Sequence, residues 1–235
     1  MSDKKIGESC VETEVKTTKR GRKKLNKVEK WFRFLRRFYK SWAWFLLPFR
    51  PHGTLKKYND RSYIIVGNHR SVLDVIPSIL ITDKPVHFMA KKELFKKGFM
   101  KWFTKKSECI PVSRDGTDVR AIMQAIKYLK EGSVVCIFPE GTRNKTQEMF
   151  LPFKSGAAAL AIKTKTPVIP MVQIKKMRFF RAMHIYYGEP FEFTEFYDKK
   201  LSQEDFDAAD LILRHKLEEC YFKLNEDLTK KKKCK

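Results

Sequence analysis

The sequence predicts an α/β domain: a largely parallel central sheet flanked by helices, with an N-terminal amphipathic helix lying in a membrane interface. Three observations carry this reading. Short β-rich runs alternate with helical patterns from residue 61 onward. The run at 133–138 (SVVCIF) is almost wholly apolar and stands between Gly132 and Pro139, as expected of a strand covered on both faces. Residues 28–50 (VEKWFRFLRRFYKSWAWFLLPFR) hold three of the chain's four tryptophans, interleaved with basic residues.

Taken in order, residues 1–27 are polar and lysine-rich without periodicity, and read as a disordered basic arm. In 28–50, Trp31, Leu35, Phe38, Trp42 and Phe45 recur at helical spacing, with Lys30, Arg33, Arg36, Arg37 and Lys40 among them. Aromatics at headgroup depth with cations on anionic lipid predict an interfacial helix; the alternative is a helix packed on the domain. Phe32 and Trp44 fall outside that stripe, which favours the interface. Strands follow at 62–66 (SYIIV), 86–90 (VHFMA) and 109–112 (CIPV). Residues 118–130 are an amphipathic helix stopped by Gly132. After the strand at 133–138 comes a small-residue helix at 155–163, then strands at 168–174 and 183–187. A long helix at about 204–228 places Phe206, Leu213, Leu217, Tyr221 and Leu224 on one face. The remaining residues, 229–235, form a basic tail.

Composition bounds the function. Of 235 residues, 43% are apolar and 33% charged, which excludes wholesale disorder. Lys and Arg number 50 against 27 Asp and Glu, a net charge of +23. Residues 1–24 and 229–235 contribute +4 and +5 of this, so the body is itself basic. Such a body expects an anionic partner: nucleic acid, a phospholipid surface or a phosphorylated substrate. No zinc-finger spacing or RNP-type strand supports nucleic acid. Cys10, Cys109, Cys136, Cys220 and Cys234 show no metal spacing and read as reduced thiols of a cytosolic compartment. No run of about 18 apolar residues predicts a spanning helix, and the charged N-terminus predicts no signal peptide.

Two polar segments follow directly on apolar strands: 67–74 (GNHRSVLD) and 139–144 (PEGTRN). Ligands of open α/β sheets bind at the carboxyl ends of the strands, where both segments fall. Ser71-x-x-Asp74 is close to a capping box. If Ser71 caps a helix starting at Val72, His69 lies in the preceding loop and can fold back onto Asp74. A carboxylate on one ring nitrogen fixes the tautomer and leaves the other as a general base. The alternative is that Asp74 merely caps a helix; Pro77 would then kink its interior. In the second segment Gly141 permits a tight turn, whose amides can face an anion, and Arg143 can grip a phosphate bidentately. No G-x-S-x-G, Walker A, G-x-G-x-x-G or H-E-x-x-H sequence occurs, so neither a nucleotide cofactor nor a metal is expected.

These residues resemble the PlsC-type glycerolipid acyltransferase family. Residues 68–74 are similar to its NHxxxxD motif and 138–143 to its FPEGTR motif. Residues 91–95 and 110–114, ending in Arg114, resemble its intervening block, and 168–170 (VIP) its last. The four blocks stand in family order over residues 60–175, and the nearest type is 1-acyl-sn-glycerol-3-phosphate acyltransferase. Residues 51–228 are thereby identified as an acyltransferase domain. The resemblance implies that His69, oriented by Asp74, deprotonates the 2-hydroxyl of lysophosphatidic acid. The alkoxide then attacks an acyl thioester on coenzyme A or acyl carrier protein, giving phosphatidic acid. It implies that Arg143, with Glu140, Gly141, Thr142 and Arg114, holds the substrate phosphate. Glycerol-3-phosphate or a lysophospholipid remains an alternative acceptor. The expected location is the cytoplasmic face of a membrane, on an anionic surface.

Overall fold

A computed structural model describes the backbone of residues 19–54, 61–96, 98–113, 118–154 and 156–233, and side chains between residues 27 and 230 of these. Seven strands form one sheet: β1 (Phe49–Gly53), β2 (Ile64–Gly67), β3 (Val86–Lys91), β4 (Ile110–Val112), β5 (Val134–Ile137), β6 (Val168–Val172) and β7 (Met183–Tyr187). Their spatial order is β1-β7-β6-β2-β5-β3-β4. Every neighbouring pair is parallel except β6 with β7. From β2 the chain runs outward to β3 and β4, returns to β5, and crosses to β6 on the far side of β2. This makes β2 the switch point, where open α/β sheets form their crevice.

The helices are α1 (Lys19–Phe38), α2 (Trp44–Leu46), α3 (Val75–Leu80), α4 (Gly98–Lys106), α5 (Val119–Lys130), α6 (Ala157–Thr164) and α7 (Gln203–Lys233). Alternation along the strands divides the core in two. Ile64, Val66, Val135 and Ile137 face Ala125 of α5, Leu160 of α6 and Leu213 and Leu217 of α7. Tyr63, Ile65, Cys136 and Ile169 face the other way, onto Phe32 of α1 and Ile79 of α3. The result is three layers, and the central strands β2 and β5 are buried along their whole length.

The N-terminal segment departs from expectation in three ways. First, α1 begins at Lys19, so residues 19–27 of the expected arm are helical; residues 1–18 lie outside the described residues. Lys and Arg are good helix formers, and a single Gly21 does not outweigh them. Second, Phe32 is fully buried and heads a packed stripe of Val28, Phe32, Leu35 and Tyr39. Of the expected stripe, Trp31 and Leu35 are half-buried, and Phe38, Trp42 and Phe45 are exposed. A π turn at Tyr39–Ala43 continues α1 and carries the chain to α2. Its wider winding shifts only Trp42 and Phe45, since Trp31, Leu35 and Phe38 precede it in regular helix. Third, strand β1 falls across the expected domain boundary at residue 51 and joins the N-terminal segment to the sheet. Pro51 argues against a strand from sequence, but β1 is an edge strand paired only with β7, where proline is tolerated.

Packing of Phe32 therefore contributes to stability while the outer aromatics do not. Phe32→Ala should cost about 3–5 kcal/mol in urea unfolding, the range for a buried aromatic. Trp42→Ala, at a side chain 75% exposed, should stay within about 0.5 kcal/mol of the wild type.

Candidate active site

Strand β2 ends at Gly67 and β5 at Ile137, in parallel register with Val66 opposite Ile137. The two motif segments consequently leave the sheet side by side. Asn68 is buried and its amide bonds both ways to Gln173, accepting from its N–H at 3.0 Å and donating to its carbonyl at 2.8 Å. That pins the end of β2 to the end of β6. His69 follows, half-buried, its ring stacked on Phe138 at 4.5 Å between centroids.

Ser71 sits in extended backbone and caps a 3₁₀ turn at Val72–Asp74, its Oγ accepting from the Leu73 N–H at 3.3 Å. Asp74 is fully buried at the end of this turn. Its Oδ2 accepts the Arg70 N–H at 2.6 Å and the Ser71 N–H at 2.7 Å, and lies 2.9 Å from His69 Nδ1. The cap and the imidazole contact are thus one arrangement, not alternatives. Pro77 does not kink a helix here. It falls in the first turn of α3, where its missing N–H would have had no helical partner.

A second buried carboxylate fastens the two loops. Glu140 Oε1 accepts the His69 N–H at 2.8 Å, and Oε2 accepts the Leu151 N–H at 3.0 Å. Burial pushes this carboxyl up from the usual range, and the two backbone donors pull against it. The Asn144 N–H donates to the His69 carbonyl at 2.6 Å. The Arg70 guanidinium donates to the carbonyls of Glu148 at 2.8 Å and Met149 at 3.3 Å. Gly141 occupies positive φ at +62°, and the Gly141 N–H closes the turn onto the Phe138 carbonyl at 2.9 Å. A Cβ there would lie 3.1 Å from Lys154 Cδ and 3.7 Å from Lys154 Nζ. The ammonium of Lys154 therefore lies along the turn that presents Thr142 and Arg143, both exposed.

Of the residues expected from sequence, His69, Asp74, Glu140, Gly141, Thr142 and Arg143 gather at one edge of the sheet. Arg114 lies outside the described residues. Glu140 has both oxygens engaged by backbone and serves as the tie between loops. Three residues of the site escaped the sequence reading: Arg70, Asn144 and Lys154. Arg70 and Asn144 sit inside the recognised segments, but nothing in their spacing reveals which loop they grip. Lys154 lies eleven positions beyond Arg143 with no spacing rule to link them. Among the described residues no three His, Cys, Asp or Glu side chains are placed to hold a metal ion. Burial pushes the thiols of Cys109, Cys136 and Cys220 up to about 12, which removes them as nucleophiles at neutral pH.

The acyltransferase family model matches residues 49–174, more than half of the chain and all of the strands and loops just described except β7. The chain belongs to the acyltransferase family. Among its curated relatives in that family is the 1-acyl-sn-glycerol-3-phosphate acyltransferase of Bacillus subtilis, 38% identical over 125 residues, which are 50% of this chain and 61% of that protein. The enzyme of the same name from Helicobacter pylori is 36% identical over 53% of this chain and 54% of its own length. The chain thus aligns with somewhat over half the length of these relatives. The crystal structure of PlsC from Thermotoga maritima, a lysophosphatidic acid acyltransferase, superposes with a TM-score of 0.56 at 26% identity, covering 87% of this chain and 83% of that one.

The Glu140 tie yields a test that does not involve substrate contact. Glu140→Ala leaves the His69 and Leu151 N–H groups without their acceptor. Urea unfolding should show a loss of about 1–3 kcal/mol, accompanied by lowered turnover because the His69 loop is slackened.

Proposed function

We propose that the chain transfers a fatty acyl group from a thioester of coenzyme A or acyl carrier protein to the 2-hydroxyl of 1-acyl-sn-glycerol-3-phosphate, giving phosphatidic acid. The observation that carries this reading is the His69–Asp74 contact beside an exposed, cation-bearing turn. The family and the named activities of its relatives supply the reaction class. Asp74 receives Nδ1–H of His69, which leaves Nε2 with its lone pair. Nε2 takes the proton of the acceptor hydroxyl as that oxygen attacks the thioester carbonyl. The tetrahedral intermediate collapses with cleavage of the carbon–sulfur bond, and the leaving sulfur takes the proton from His69, which releases the thiol and returns the imidazole to its neutral form. Asp74 offsets the positive charge of the imidazolium in between.

Binding of the acceptor falls to the 138–143 turn. Arg143 offers a planar fork for the phosphate, and Lys154, alongside Gly141, adds a second positive charge. Asn144, next to Arg143, donates to the His69 carbonyl, so the phosphate anchor and the base are joined through a single backbone hydrogen bond. Arg114 is kept as a further phosphate ligand on the strength of the family resemblance. The enzyme works at the cytoplasmic face of a membrane, in contact with anionic lipid. Among the described residues no helix is long and apolar enough to cross a bilayer.

Two measurements check the mechanism. With acyl-CoA and lysophosphatidic acid, thioester release by His69→Ala should fall about 10²–10⁴-fold, the usual loss for a general base, with the thermal midpoint unchanged. Near-normal kcat would rule out the base. Arg143→Lys retains the charge but loses the fork. It should raise KM for the phosphorylated acceptor without raising that for the acyl donor; an equal rise for both would remove Arg143 from the phosphate site. The same assay run with glycerol-3-phosphate and with lysophospholipids separates the acceptors, and lysophosphatidic acid is expected to give the highest kcat/KM.

A further inference from the structure

We infer that the chain meets the lipid leaflet through a composite aromatic face built from three separate segments, of which α1–α2 is only one. This inference rests on the membrane location proposed above and specifies the surface that makes the contact.

The face is assembled from two runs of ring contacts that α1–α2 carries in one chain. On α4, Phe99 lies 5.5 Å from Trp102, and Trp102 meets Trp31 of α1 edge-on at 5.1 Å. Trp31 stacks on Phe34 and Phe34 on Phe38, at 5.7 and 6.2 Å. One helical turn beyond Phe38 is Trp42. At the far end Phe45 meets Phe180, of the loop between β6 and β7, at 6.1 Å. Most of these rings are open to solvent: Phe99 is 70% exposed and Phe180 68%. Isolated exposed aromatics are ordinary, but a connected row spanning three segments marks an interaction surface.

The segments are locked together by hydrogen bonds. Trp31 Nε1 donates to Ser107 Oγ at 3.0 Å, fixing α1 to the end of α4. The Phe180 N–H donates to the Leu46 carbonyl at 2.6 Å, fixing the β6–β7 loop to α2. Phe180 is held at φ +59°, a conformation that a bulky side chain adopts only under constraint. Burial of its ring does not offset that cost, because the ring is exposed.

Charge selects the partner. Residues 30–54, 98–106 and 174–182 contain six, three and four Lys or Arg and no Asp or Glu. Arg36 is held by the carbonyls of Asp83 and Lys84, at 2.7 and 3.3 Å. The rest of this basic population flanks the aromatic row. Aromatics at the centre and uncompensated cations around them suit an anionic lipid surface. A second copy of this chain would bring the same positive charge to the contact and be repelled.

The face also borders the catalytic edge. The β6–β7 loop starts at Gln173, which is bound to Asn68, the neighbour of His69. Segment 92–106 leaves the carboxyl end of β3, the same edge of the sheet. A leaflet resting on the row would present its lipids to the loop that carries the base.

The full chain and the double variant Phe99→Ser/Phe180→Ser should be sedimented with vesicles of phosphatidylcholine and phosphatidylglycerol. The variant is expected to partition about ten-fold less, with an unchanged thermal midpoint and unchanged sedimentation velocity. A second chain, Trp31→Phe/Trp42→Phe/Trp44→Phe, retains only Trp102 of α4, and brominated lipid should quench its emission. If the wild type binds while the double variant binds equally well, or the brominated lipid fails to quench Trp102, contact is confined to α1–α2 and the composite face is wrong. If the wild type does not bind vesicles at all, the membrane location itself fails. A concentration-dependent dimer that the double variant loses would assign the face to self-association and overturn the inference.

Discussion

The Asp74 carboxylate is the constraint around which the active edge is organised. Removing an ionised carboxyl from water is costly unless donors replace the lost hydration. Here one oxygen gathers two backbone N–H groups and an imidazole nitrogen, all within 2.9 Å. The Arg70 and Ser71 donors can converge only if the chain turns sharply after Asn68. That same turn brings His69 back over the carboxylate. One buried charge therefore caps the turn and fixes the ring by one nitrogen, leaving the other, Nε2, for the base role proposed above.

This arrangement would be loose without its neighbours. Glu140 ties the His69 backbone to the segment after β5, Arg70 grips that segment through carbonyls, and Asn68 fastens the other flank to β6. The parallel register of β2 with β5 and β6 makes these short connections possible. Arg143 of the 138–143 turn, with Lys154 alongside, then stands on a base that is held from three sides. On the proposed mechanism, function at this edge depends on side chains held away from substrate, and their loss should resemble a loss of catalysis.

The fold was legible where periodicity and burial coincide. The apolar run 133–138 became β5, and the stripe Val119, Ile122, Met123, Ile126 and Leu129, with Gly132 beyond it, became α5, though Val119 and Met123 turn out exposed. The largely parallel sheet followed from that alternation. Strand β1 was not legible, because an edge position excuses Pro51 and Arg50 and only the neighbour β7 reveals the pairing. Helix α1 was half legible. Its spacing predicts a helix but not which face the domain covers: Phe32 packs inside while Phe38 and Trp42 look outward, and the π turn at Tyr39–Ala43 shifts only the residues from Trp42 on. At the candidate site, the contact of His69 with Asp74 was legible from their spacing, and Arg143 from its place in the second segment. The tie made by Glu140 and the approach of Lys154 to Gly141 depend on which loops the sheet sets side by side, and spacing along one chain does not encode that.

The central claim is that buried Asp74 holds the proton on His69 Nδ1 and leaves Nε2 as the base. Nitrogen NMR of the full chain labelled at histidine tests it most directly, with His69 assigned by its absence from the His69→Gln spectrum. At a pH where the ring is neutral, Nδ1 should carry the bound proton and show the pyrrole-type shift, and Nε2 the pyridine-type shift. A pyrrole-type Nε2 would mean that the nitrogen facing the substrate is already protonated, and would contradict the account.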